Sequence, residues 1–297
     1  MEAQYLMRSL MFVPAHNEKL MDSATRTAAD VLLLDIEDSV QPAYNKQIAR
    51  NNILKYVSEG KFQGRQIFPR VNDRESGHLL QDVYQLTIKG ITGFMYPKAK
   101  RGDDIYFFGK LLETIEYEKG LPLSTFKIIP LIETTGAVMH LNDICSICPN
   151  RVIAIAFGCE DFITDLKGQN DEPGQSIFTP RALIAMAARA NNIIPIDTVH
   201  IKVHDLEDLE RNLIISKKLG FEGMLALNPK ELSLIHEYYS PSKEDISWAN
   251  DMTQLFDEAV KLGKGVAVKD GKFIGPPFLA KAKFILNKQE MINKLNL

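Results

Sequence analysis

The sequence predicts an α/β fold, a single (β/α)₈ TIM barrel with a C-terminal helical extension, and three observations carry that reading. Eight short apolar runs alternate with segments of helical periodicity, as in α/β proteins. The runs are almost continuously hydrophobic, as parallel strands covered on both faces must be. An open doubly wound sheet usually carries a glycine-rich phosphate turn after its first strand. Here the first run leads into Pro14-Ala15-His16-Asn17 instead.

In order, the apolar runs are residues 9–14, 30–36, 66–71, 93–98, 127–133, 151–157, 193–199 and 223–228. Helical periodicity fills 17–27, 42–58, 76–89, 103–119, 136–148, 178–191, 205–219 and 230–238. Eight such units fit a closed barrel of about 250 residues. Residues 1–240 are therefore assigned to the barrel and 241–297 to the extension. The segment 158–177 is long for a βα connection and holds Gly168, Pro173 and Gly174, so it reads as an active-site loop. The extension reads as a helix over 243–262, the stretch GKGVAVKDGKFIGPP and a basic helix over 277–290. It is expected to form a lid over a barrel mouth, its own or that of a neighbouring subunit.

The 297 residues are 45% hydrophobic and 25% charged, enough to build a large core. A formal net charge of −3 argues against nucleic acid as the main partner, because phosphate-rich ligands demand a basic surface. No apolar run approaches the ~18 residues that cross a bilayer. The first residues show neither a basic n-region nor a small-residue cleavage site, so a cytoplasmic location without membrane contact is expected. The three cysteines form no disulfide framework. Cys145 and Cys148 have redox spacing but are read as ordinary buried thiols. The histidines lack the pairing of a metal motif and are read as core or surface residues, His200 and His204 included. Trp248 is assigned to packing, and Lys281 and Lys283 to a solvated helix face.

Chemistry in such barrels sits at the C-terminal ends of the strands. Strand two ends in Asp35-Ile36-Glu37-Asp38, strand three in Arg70-Val71-Asn72 and strand four in Pro97-Lys98. Strand five ends in Glu133-Thr134-Thr135, strand six leads to Glu160-Asp161, and strand eight ends in Asn228-Pro229. Any one of these acids is explained by a structural ion pair. At least five acids against two bases on one rim repel one another unless a cation completes the site. Oxygen donors without His or Cys suit Mg²⁺ or Mn²⁺. Strands five and six are neighbours, so Glu133 and Asp161 are the expected metal ligands. Arg70 suits a substrate carboxylate, which its planar fork binds bidentately; its structural alternative is a salt bridge to Glu37 or Asp38.

These residues resemble a known group, the citrate lyase β-subunit-like proteins of the HpcH/HpaI aldolase superfamily. The ordered matches include Arg8-Ser9, Asp35-Ile36-Glu37-Asp38-Ser39-Val40, Arg70-Val71-Asn72, Pro97-Lys98, Ile132-Glu133-Thr134 and Phe157-Gly158-Cys159-Glu160-Asp161-Phe162. Others are Ala188-Arg189-Ala190, Ile196-Asp197-Thr198-Val199 and Gly263-Lys264-Gly265. The resemblance implies a (β/α)₈ barrel that assembles as a homo-oligomer, a trimer or hexamer. It implies Mg²⁺ on Glu133 and Asp161, Arg70 as substrate anchor and Lys19 against CoA phosphates. Glu133 and Asn228 complete the expected substrate contacts, and Glu37 and Asp38 join Arg70 as expected catalytic residues. The implied reaction is cleavage or formation of a C–C bond in a 3-hydroxyacyl-CoA of the citryl-, citramalyl- or malyl-CoA kind.

Two departures stand out. The family's C-terminal G-K-M-I-D-x-P motif carries a catalytic acid or base, and this chain reads Gly271-Lys272-Phe273-Ile274-Gly275-Pro276-Pro277. Glycine carries no proton, and losing a general acid or base costs roughly 10²–10⁴ in rate. Asp270 is five residues away, too far for a simple replacement. The family's I-H-P motif is Leu227-Asn228-Pro229 here. Two alternatives to the lyase follow. One is a catalytically weak acyl-CoA or oxo-acid binder; the other is the β subunit of a citrate lyase complex working on an acyl-carrier-protein thioester.

Overall fold

The computed structural model describes residues 5–62, 64–169, 174–263, 265–269 and 272–295. Each apolar run becomes a strand: β1 (Ser9–Pro14), β2 (Val31–Asp35), β3 (Gln66–Ile67), β4 (Gly93–Tyr96), β5 (Lys127–Ile132), β6 (Ala154–Phe157), β7 (Ile194–Asp197) and β8 (Gly223–Ala226). The helices that follow them are α1 (Glu18–Ala24), α2 (Asn45–Ser58), α3 (Leu79–Leu86), α4 (Gly102–Glu118), α5 (Thr135–Met139), α6 (Leu141–Ser146), α7 (Cys159–Leu166), α8 (Gln175–Ala190), α9 (Leu206–Leu219) and α10 (Leu232–Tyr239).

The strands run in the order β3-β2-β1-β8-β7-β6-β5-β4, and their pairings are parallel. The ring closes through the continuation of β3, where Arg70 bridges both Asp35 and Met95. Across that seam Val71 N–H donates to Met95 O at 3.2 Å and Met95 N–H to Pro69 O at 3.0 Å. Pro69 has no N–H to give, which is why the regular part of β3 is so short. The strand residues Leu10, Leu32, Leu34, Phe94, Ile132 and Phe157 are fully buried. Eight such runs bury the apolar surface that drives the fold.

At the N-terminal end of the strands two buried ion pairs are closed by the chain itself. Arg8, just before β1, donates from Nε and Nη2 to Asp30, just before β2, at 2.9 and 2.8 Å. Arg151, before β6, holds Glu116 of α4 with two hydrogen bonds. Burial alone would raise the Glu116 pKa, but the Arg151 hydrogen bonds and two backbone N–H groups outweigh it, and the net shift is downward.

Two details differ from the sequence reading. The segment after β6 is not an irregular loop, because α7 occupies its first half, with Gly158 at its N-cap position. Pro173 lies outside the described residues, as do Lys264, Asp270 and Gly271 of the tail. The helix expected over 136–148 is two short helices, broken at His140.

The chain forms two compact units, Met7–Ile235 and the second one of Met1–Leu6 with His236–Leu297. In the second, α11 (Lys243–Lys261) and α12 (Pro276–Leu295) share a core of Ala249, Met252, Ile274, Ala282 and Ile285. Between them β9 (Ala267–Lys269) and β10 (Lys272–Ile274) pair antiparallel. Trp248 packs against this core as expected, but Lys281 is not merely solvated: its ammonium lies 5.0 Å from the Trp248 ring centre, within cation–π range. Among the described residues no helix is long and apolar enough to cross a membrane.

Candidate active site

The C-terminal ends of β2, β3, β4 and β5 converge on one connected set of charges. Arg70 is its centre. The register of β3 against β2 puts Asp35 directly opposite it, and the guanidinium fork is closed on that carboxylate. Nε and Nη2 each donate at 2.7 Å. The third nitrogen, Nη1, lies 3.1 Å from Glu37 Oε2 and 3.6 Å from Asp38 Oδ2. Phe12 covers the guanidinium at 4.8 Å. The expectation that the fork receives a substrate carboxylate bidentately is corrected here, since Asp35 takes it and only Nη1 remains for a ligand. Burial works against the Asp35 carboxylate, yet the Arg70 charge and hydrogen bonds hold its pKa below the ordinary value.

Lys98 follows β4 and ties the other acids in. Its ammonium donates to Glu37 Oε1 and, at 3.3 Å, to Asp38 Oδ1. Its backbone N–H donates to Glu133 Oε2 at 2.8 Å. Burial, opposed by the Arg70 charge, raises the Glu37 pKa to about 7. Glu133 is pushed higher, to about 8, by burial, with the N–H of Lys98 and the charge of Arg70 pulling the other way. The Asp161 charge is among the influences that raise it, so the two carboxylates feel each other.

Glu133 is only 2% exposed and follows β5; Asp161 sits exposed in the first turn of α7, after β6. Between them is Gly158. A methyl group there would stand 2.6 Å from Glu133 Cγ and 3.1 Å from Oε1, so only glycine lets the carboxylate lie flat against the β6 exit. Both acids line two adjoining pockets. One, about 270 Å³, is walled by Phe12, Leu131, Val199, Leu225 and Leu227 and floored by Arg70. The other, about 480 Å³, carries Arg74, Tyr96, Lys98, Lys100, Thr134 and Asp165.

The donors fit a hard cation. Glu133 offers a buried carboxylate held in one orientation, with one oxygen bound to Lys98, and Asp161 offers a second from the helix that follows the neighbouring strand. Among the described residues no group of three or more His, Cys, Asp or Glu is disposed to hold a metal. A site of two carboxylates open to a pocket suits Mg²⁺, which keeps waters or substrate oxygens in its remaining positions.

Other expected residues fall elsewhere. Lys19 is exposed on α1, and Glu37, Asp38, Lys19 and Asn228 are not among the residues lining these two pockets. Asn228 caps the short turn after β8: its Oδ1 accepts from Lys230 N–H and its Nδ2 donates to Val203 O. His200 is a core histidine, 3.3 Å from Glu231 and 3.0 Å from Asp208, while His204 is exposed. Cys145 and Cys159 are buried, which pushes each thiol up to about 12. Gly275 is buried, and its carbonyl accepts from Phe278 N–H in the first turn of α12. Sequence reasoning missed Asp35 as the partner of Arg70 and Gly158 as the floor beneath Glu133. The first needs the strand register; a glycine directly after an apolar strand is the only signal for the second.

An eight-stranded parallel barrel with an acid-rich pocket at the C-terminal strand ends defines the class of the protein, a TIM-barrel fold with its site on the catalytic face. The sequence profile of the HpcH/HpaI aldolase/citrate lyase family matches residues 8–229, and the chain belongs to that family. It is 27% identical over 286 residues to citrate lyase subunit beta of Leuconostoc mesenteroides subsp. cremoris, covering 96% of this chain and 94% of that one. It is 28% identical to the mitochondrial citramalyl-CoA lyase of Homo sapiens, over 93% of this chain and 83% of the other. The fold matches the CitE protein of Mycobacterium tuberculosis, solved with magnesium, acetoacetate and coenzyme A, with a TM-score of 0.74. That match has 23% identity and covers 96% of this chain and 98% of that one.

Proposed function

We propose that the protein is a Mg²⁺-dependent carbon–carbon lyase that cleaves or forms a 3-hydroxyacyl-CoA of the citryl-, citramalyl- or malyl-CoA kind. The observation that carries this reading is the pair Glu133 and Asp161, which follow the adjacent strands β5 and β6, on the wall of one pocket that Arg70 also lines. The names of the relatives, a citrate lyase subunit and a citramalyl-CoA lyase, support the reaction class, and the magnesium and coenzyme A of the structural neighbour support the cofactor and the thioester. Bound at Glu133 and Asp161, Mg²⁺ or Mn²⁺ would polarise an oxo or hydroxy oxygen and stabilise negative charge that develops on it. The residues of the chain do the rest. Lys98 N–H fixes the Glu133 carboxylate, and Arg70 Nη1 meets the carboxylate of the oxo-acid. Glu37 and Asp38 act from behind the pocket by holding Arg70 and Lys98, while Lys19 and Asn228 are proposed CoA-side contacts. A homo-oligomeric assembly and a cytoplasmic location belong to the same reading.

One observation favours a second reading. Position 275 is a glycine directly before α12, with no side chain to hold a proton. A binder with weak turnover, or a β subunit acting on a carrier-protein thioester, would tolerate that loss. Purified protein with Mg²⁺ and a panel of malyl-, citramalyl- and citryl-CoA tests the choice. Release of glyoxylate, pyruvate or oxaloacetate supports the lyase, while binding without release supports the second reading. Gly275→Asp is expected to raise turnover of the best substrate. A variant no faster than a vigorous parent removes the argument from Gly275.

A further inference from the structure

The backbone at Lys98 is in the left-handed region, with φ at 54°. Glycine adopts that conformation freely, and an L-residue is strained in it. Two contacts go with the turn. It accompanies the hydrogen bond from Lys98 N–H to Glu133 Oε2 at 2.8 Å. It also sends the side chain towards β2, where the ammonium donates to Glu37 and Asp38. One residue therefore joins the exit of β2 to the exit of β5. A glycine at this position would keep the first contact without strain and lose only the second. That a lysine stands there against its backbone preference locates its value in the ammonium.

The value is visible in how the acids are shared. Arg70 spends Nε and Nη2 on Asp35, and its remaining nitrogen faces Glu37 and Asp38. Those are the same two carboxylates that Lys98 holds. Without a second cation both would draw on Nη1 alone, and a substrate carboxylate would find three acids around one committed guanidinium.

We propose that Lys98 is a positioning residue for an anionic oxo-acid: its main chain sets Glu133, and its ammonium occupies Glu37 and Asp38 so that Arg70 Nη1 can turn to the substrate carboxylate. This rests on the reading of the site given above. The test compares the unaltered protein with Lys98→Gly and Lys98→Arg, using Mg²⁺ alone and then pyruvate with Mg²⁺ as probes. Lys98→Gly keeps the N–H but loses the ion pairs to Glu37 and Asp38, so its metal-free melting temperature is expected to fall while its stabilisation by Mg²⁺ matches the parent. Its affinity for pyruvate in the presence of Mg²⁺ should fall about ten-fold, the scale of one lost charge contact at a partly buried site. Lys98→Arg should recover most of that affinity. Pyruvate affinity equal in Lys98→Gly and the parent overturns this inference alone. Loss of Mg²⁺ stabilisation in Lys98→Gly overturns it too, because the ammonium would then act through the metal site. The comparison is repeated with glyoxylate and oxaloacetate. Failure of the parent to bind any of the three oxo-acids with Mg²⁺ overturns the proposed function, and this inference falls with it.

Discussion

Glu116 and Glu133 are both buried carboxylates of the same barrel, one at each end of its strands, and they are treated in opposite ways. Glu116 accepts from Arg151 Nη1 and Nη2, from Ser124 N–H and from Phe126 N–H, so both oxygens are satisfied by the chain itself. Glu133 receives a single backbone hydrogen bond, from Lys98, and shares its pockets with a second acid, Asp161. The first arrangement is complete without a ligand. The second leaves carboxylate oxygens without a cationic partner of their own, and burial raises its pKa to about 8. A closed pair marks the end of the barrel that holds the fold together; carboxylates without such a partner mark the end where the proposed cation would bind.

Removing one carboxylate from each end should give the largest contrast. Glu116→Ala strands Arg151 as an unpaired buried charge and is expected to cost about 3–5 kcal/mol in urea unfolding. Burial keeps the Glu133 carboxyl largely protonated near pH 7 without a cation, so Glu133→Gln replaces a neutral group by a neutral one of like shape and the metal-free protein should be about as stable as the parent. Equal destabilisation by the two would erase the distinction. A smaller effect is expected from Gly158→Ala, whose methyl group collides with Glu133 Cγ at 2.6 Å. Overpacking of this kind costs roughly 1–3 kcal/mol, and the displaced carboxylate should weaken Mg²⁺ binding. Normal Mg²⁺ affinity in that variant would show that the flat seat of Glu133 is unimportant.

The smallest effect is in pH. The folded-state pKa values of Glu116 and Asp35 are lowered, so their contribution is fully present above about pH 4, the ordinary carboxylate value. It is lost as pH falls through the lowered folded values, because the unfolded chain then binds protons first. The urea midpoint should therefore drop below about pH 4, and Glu116→Gln should show a shallower drop. A parallel pH profile in the variant would deny Glu116 its share of acid sensitivity.

Most of the barrel was legible because each strand is buried on both faces and so announces itself as an apolar run. The eight runs became β1 to β8 in order, with edges moved inward by a few residues. What failed was local. The segment after β6 carries the turn residues of a loop, yet Cys159–Leu166 is helical and presents Asp161 from its first turn. Periodicity places Arg70 and the acids on one rim, but it does not say which acid the guanidinium takes. That depends on strand register, and register gave the guanidinium fork to Asp35, in addition to the expected ion pairs with Glu37 and Asp38. Asn228, expected at the substrate, also caps the turn after β8, a role its spacing did not signal. The left-handed backbone of Lys98 had no sequence signal, since a lysine after a proline predicts nothing of the kind.

Titrating the metal-free protein with Mg²⁺ by calorimetry, alongside Glu133→Gln and Asp161→Asn, tests the shared cation most directly. Saturable binding of one ion by the parent, lost in both variants, is the predicted result. Unchanged binding in either would contradict a cation held between these two carboxylates.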